Sequence, residues 1–182
     1  MKSKMNKYLA ASLAVILIFF SLQFSIAAAE DDPVSATPVA DKVSALVKLN
    51  VLRGEGDDVR LDDALRRSDA VMYLVRLIGK EPAVLADKSR YAAKAPGDVN
   101  PSAEYAPYVG YAYEQGIVRG FPDGGFKPDR AVSEREFLTM MLRAFGHAEN
   151  ADFTWEEAGK AAFGAGFVLN PSYAEGFGDD HF

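Results

Sequence analysis

The sequence predicts an all-α fold of repeated helix–turn–helix units. Three observations predict it: an internal repeat, apolar stripes at helical spacing bounded by capping signals, and Gly-, Pro- and Asp-rich turns between the stripes. The repeat is clearest at 111–146, YAYEQGIVRGFPDGGFKPDRAVSEREFLTMMLRAFG, which residues 46–79 track with one or two positions lost in the turn. Val51, Leu52, Arg53 and Gly54 match Ile117, Val118, Arg119 and Gly120; Leu65, Asp69, Arg76 and Gly79 match Val132, Glu136, Arg143 and Gly146. A partial third copy starts at Trp155, where WEEAGKAAFGAGFV lies over YAPYVGYAYEQGIV and sets Trp155 on Tyr105 and Gly166 on Gly116. A two-helix unit cannot bury its apolar stripe alone, so the copies pack on one another.

The N-terminal segment reads as a secretory signal peptide, residues 1–29. Lys2, Lys4 and Lys7 precede an apolar run, and Ala27-Ala28-Ala29 offers a cleavage site before Glu30. Residues 30–38 are an acidic, Pro-containing leader without periodicity. The first copy, 39–80, carries a stripe of Ala70, Tyr73, Leu74, Leu77 and Ile78; Arg66 stands where a cap belongs, and Ser68 is expected to substitute. Residues 81–97 read as a linker. The second copy, 98–147, opens a helix from about Tyr105 to Gln115, stopped by Gly116. The chain reverses at Pro122-Asp123-Gly124-Gly125. Ser133 with Glu136 three residues on is a capping box, followed by the stripe Phe137, Met140, Met141, Ala144 and Phe145. Residues 148–182 form the partial third copy.

Composition excludes several functions. The net charge is −6, and removing 1–29 takes away three lysines and no acids, so nucleic acid and anionic lipid are poor partners. The absence of cysteine excludes disulfides, a lipoprotein anchor and thiolate metal sites. Asp98, Asn100, Ser102 and Glu104 alternate like calcium ligands but lack the mid-loop glycine and terminal glutamate of such a loop. His147 and His181 have no zinc spacing, and Glu156 and Glu157 point apart on a helix. No hydrolase or phosphate-loop motif occurs, so neither an enzyme nor a cofactor is expected.

Over about residues 39–170 the chain resembles the S-layer homology (SLH) module of bacterial envelope proteins. The resemblance is densest at 98–146: an Asp-Val start, the Gly116-to-Gly120 pattern, the Asp123-Gly124-x-Phe126-x-Pro128 turn and the capped helix start. It implies a pseudo-threefold bundle of three repeats, here with the third incomplete. It also implies inter-repeat grooves that bind secondary cell-wall polysaccharide, often pyruvylated and attached to peptidoglycan. The turn at 116–130 then shapes a groove wall.

Carried over residue by residue, the resemblance assigns one glycan groove to Arg67, Asp98, Tyr105 and Gly120, and a stacking face in a second, weaker groove to Trp155. Arg67 holds the family's arginine position at the second helix start, where the second copy has Glu134; Tyr105 replaces the family tryptophan, which returns as Trp155. Tyr105 and Trp155 are equally read as packing residues, and Asp98 as a helix cap. The expected protein is exported, wall-associated and not inserted in the membrane after cleavage. The alternative is an SLH-like structural or interaction protein that has lost glycan binding, which Glu134 and the missing last helix favour.

Overall fold

The computed structural model describes residues 38–53 and 63–175, and every regular element among them is helical. In chain order these are α1 (Val39–Lys48), α2 (Arg67–Leu77), α3 (Glu81–Ala86), α4 (Lys88–Ala92), α5 (Ala106–Glu114), α6 (Glu134–Ala144), α7 (Ala158–Gly164) and a 3-10 turn (Pro171–Glu175). The fold is all-α, as expected. The signal segment, most of the leader, much of the first turn and the tail after 175 lie outside the described residues. All described residues belong to one unit, Pro38–Phe182.

The helix ends follow the sequence closely. Gly116 takes φ +71°, and Ile117 N–H then donates to the Ala112 carbonyl at 2.9 Å. The same closure recurs around Asn50, from Val51 to Leu46, and around Gly166, from Phe167 to Ala162. Ser133 and Glu136 form the capping box at α6.

The start of α2 is different. Ser68 does not cap it: no side chain does, and Ser68 is buried. The free N–H groups of Arg67 and Ser68 instead donate to the carbonyls of Arg130 and Pro128, each at 3.0 Å, and Val132 N–H donates to Leu65 O at 2.8 Å. The turn of the second copy therefore caps a helix of the first, meeting donors that a helix start leaves open.

The buried faces are also wider than the expected stripes. Val71, Val75, Leu138 and Leu142 are fully or nearly fully buried, although none belongs to a stripe read from the sequence. Phe145, counted as core, is 42% exposed, and Tyr73, Leu77, Ile78, Phe137 and Ala144 are half-buried. The reason is that α2 packs against both α5 and α6, and α6 against both α2 and α7. Burying each such Val or Leu contributes about 1.5–3 kcal/mol.

Residues 81–97, read as a linker, carry two short helices. They fold as α3 and α4, with Val84 fully buried and both helices packed on α5. Gly110 allows the approach, since a Cβ there would stand 1.8 Å from the Tyr91 carbonyl oxygen.

Candidate functional site: an arginine-lined groove

The Gly-rich turn is stiff because its own backbone closes it. Phe121 N–H donates to Gly125 O and Gly124 N–H to Phe121 O, each at 2.8 Å. Gly120 sits at φ +74°, and a Cβ on it would lie 2.9 Å from Gly125 O, so only glycine fits. Asp98 does not cap a helix. Its carboxylate accepts from Phe126 N–H at 2.8 Å and Lys127 N–H at 2.7 Å, bracing the turn from behind.

That turn delivers Phe121 and Phe126 to Arg67. Arg67 is 5% exposed; its Nε donates to Phe126 O at 3.0 Å and its Nη1 lies 3.4 Å from Glu136. The guanidinium lies over both rings, 4.7 Å from the Phe121 centroid and 5.0 Å from that of Phe126. Burial pulls its pKa below the ordinary arginine value; Glu136 opposes this, and the charges of Arg130 and Arg143 add to it. Arg130 shares the Glu136 carboxylate.

A groove of about 310 Å³ opens in front of Arg67, between the 118–121 segment, α6 and Trp155. Arg119 and Arg143 line it, and both donate to the same Oε2 of Glu149, Arg119 at 2.7 Å. Arg143 also donates to Ile117 O at 3.3 Å. Thr139 lines the floor; its hydroxyl is buried and has no hydrogen-bond partner among the described residues. Trp155 is 37% exposed at the rim.

Of the residues assigned from sequence, the structure gathers Arg67, Gly120 and Trp155 around this groove. Asp98 stands behind the turn and Tyr105 is half-buried against the core, so neither lines it. Arg119, Phe121, Glu136, Thr139 and Arg143 line it without having been singled out for binding. The two arginines did leave a signal, because both recur in the first copy as Arg53 and Arg76. Glu134, the expected repulsive residue, is not a lining residue and accepts a hydrogen bond from the Tyr173 hydroxyl.

The first copy builds a matching network around Glu81. Arg53 meets Glu81 Oε2 at 2.7 Å, Arg76 Nε meets Oε1 at 3.0 Å, and Arg76 Nη1 donates to Val51 O at 3.4 Å. Tyr108 OH donates to Glu81 Oε1 at 2.6 Å, and Asn50 donates to Oε2 at 3.4 Å. Burial opposes ionisation of Glu81, but the hydrogen bonds from Tyr108 and Arg76 and the charges of Arg53 and Arg76 outweigh it. They hold the carboxyl below its ordinary pKa.

The family model for the S-layer homology domain matches residues 97–138, from the Asp98 brace through the Gly-rich turn into α6. A middle cell wall protein of Brevibacillus brevis is 28% identical over 156 residues, 85% of this chain and 14% of that protein. A surface layer protein of Brevibacillus choshinensis is 31% identical over 161 residues, again 85% of this chain and 14% of that protein. A cellulosome-anchoring protein of Acetivibrio thermocellus is 27% identical over 82 residues, 45% of this chain and 18% of that protein. The chain thus spans about one seventh of the length of the first two relatives. No solved structure shows significant similarity. The chain is an S-layer homology domain protein.

Proposed function

We propose that this S-layer homology domain protein is an exported, non-catalytic module that anchors to the bacterial cell wall by holding acidic secondary cell-wall polysaccharide in the groove beside Arg67. The observation that carries this reading is the groove's chemistry: Arg67, Arg119 and Arg143 converge on one concave space with an exposed indole at its rim. A planar guanidinium pairs with a carboxylate through two parallel hydrogen bonds, and an aromatic face offers a sugar ring an apolar platform. The volume, about 310 Å³, falls in the range of small-ligand sites. The names of the similar cell-wall, surface-layer and anchoring proteins support an extracellular, wall-associated place. No described helix is long and apolar enough to cross a membrane. The repeat boundaries at 39–80, 98–147 and 148–182 belong to the same proposal, with 81–97 as a folded connector.

The test is co-sedimentation with peptidoglycan sacculi, intact or stripped of their secondary polymer. Binding to intact sacculi alone is expected, weakening as salt rises. Arg119→Ala and Trp155→Ala should each weaken it about ten-fold, roughly 1.4 kcal/mol, without lowering thermal stability. Arg67→Ala should lose binding and stability together, because Arg67 is buried between the copies. Equal binding to stripped sacculi would sink the reading. The second reading, an interaction protein that has lost the glycan site, is favoured by one feature: every groove arginine already has an internal carboxylate partner. It predicts no binding to either preparation.

A further inference from the structure

Those internal partners are not equally tied down. Glu81, in the closed network, receives Arg76 and Tyr108 on one oxygen and Arg53 and Asn50 on the other. Glu149 receives Arg119 and Arg143 on Oε2 alone, and its Oε1 has no partner among the described residues. The two arginines differ as well. Arg143 is mostly buried and is held a second time by the Ile117 carbonyl. Arg119 has a side chain that is 57% exposed, and Glu149 is its one hydrogen-bond partner among the described residues.

We infer that Glu149, which stands outside the groove lining, is the resident counter-charge of the lining arginines Arg119 and Arg143, and that an acidic ligand gains Arg119 by exchanging its own acid group for the Glu149 carboxylate. This rests on the groove being the polysaccharide site. Glu149 itself stays where it is, because its loop is fixed by Asn150 N–H to Phe153 O at 2.7 Å and by Ala148 N–H to Asp152. It keeps Arg143 after the exchange, so no buried charge is left without a partner, which is the costly outcome for a buried pair. Arg119 trades one carboxylate for another and swings through solvent to do so. A neutral sugar has no anion to offer, and cannot recover what Arg119 gives up. Glu149 is therefore an affinity-setting residue: its carboxylate competes with the ligand's acid group for Arg119, and a neutral sugar does not enter that competition.

The experiment measures binding of the full chain to intact sacculi, and to a pyruvate-ketal monosaccharide and its uncharged methyl ester, for the wild type and Glu149→Gln. Removing the competing charge should tighten binding to the sacculi and to the acid about five-fold, as expected for one exposed charge interaction, and leave the ester unchanged. A purely structural role for Glu149 moves affinity the other way. Unchanged or weaker binding by folded Glu149→Gln overturns the inference while wild-type binding keeps the functional reading alive. No binding by either protein overturns both. If Glu149→Gln does not fold, Glu149→Asp, too short to hold both arginines on one oxygen, must show the same gain.

Discussion

Two carboxylate-bridged arginine pairs stand at matching places in the sequence, and they differ in how fully the carboxylate is satisfied. In both, a second-helix arginine reaches a backbone carbonyl just after the first helix, Arg76 to Val51 and Arg143 to Ile117. In both, a glutamate beyond that helix ties it to a turn arginine, Glu81 to Arg53 and Glu149 to Arg119. The difference lies in what the next copy supplies. Against the first network it supplies Tyr108, whose ring lies 5.7 Å from the Arg76 guanidinium and whose hydroxyl completes the Glu81 shell. The residue aligned with Tyr108 in the third copy is Ala158, buried against Leu142 and Phe153, and it brings no hydroxyl. One carboxylate is engaged on both oxygens; the other is engaged on one, by two arginines that line a groove. A repeated polar motif is thus a fixed scaffold whose role is decided by its neighbour.

Breaking the closed network should produce the largest effect. Glu81→Ala leaves Arg76 buried without its counter-charge and should cost about 3–5 kcal/mol in urea denaturation. Glu149→Ala, which removes two hydrogen bonds where Glu81→Ala removes four, should cost about 1–2 kcal/mol. Equal costs would mean that both networks are structural and that the comparison fails. An effect between those two is expected for Tyr108→Phe, which removes one hydrogen bond to a charged group and should cost about 1.5–3 kcal/mol. That loss should shrink to about 0.5–1.5 kcal/mol in the Glu81→Gln background, where the amide oxygen still accepts but carries no charge, which sharpens the assignment of the bond.

The pH dependence is the subtlest. Because the Glu81 carboxyl is held below its ordinary pKa in the folded state, the unfolded chain binds the proton more readily. Its stabilisation is fully present above the ordinary glutamate pKa of about 4.3 and is lost as the pH falls through the folded value. Denaturation midpoints between pH 6 and 3 should fall less steeply for Glu81→Gln than for the wild type.

Much of this was legible in the residues. Periodicity located α2, α5 and α6, the Ser133–Glu136 box set the start of α6, and Gly116 its predecessor's end, because those signals act within one helical turn. The repeat register paired Arg53 with Arg119 and Arg76 with Arg143, yet their glutamates escaped it: Glu81 and Glu149 lie five and six residues past the arginines, outside any matched position. Val71, Val75 and Leu142 escaped the stripes because a helix flanked on two sides buries more than one face.

The sequence by itself determined the helical class, the turn and its glycines, since each is a matter of local backbone preference and nearby spacing. Only the tertiary structure decided that the turn of the second copy caps the helix of the first, that Asp98 braces that turn rather than facing the groove, and that Arg67, Arg119, Arg143 and Trp155 share one space. Those are contacts between segments tens of residues apart, where Coulomb attraction and burial act on whichever groups packing brings together, and no local pattern records the partner.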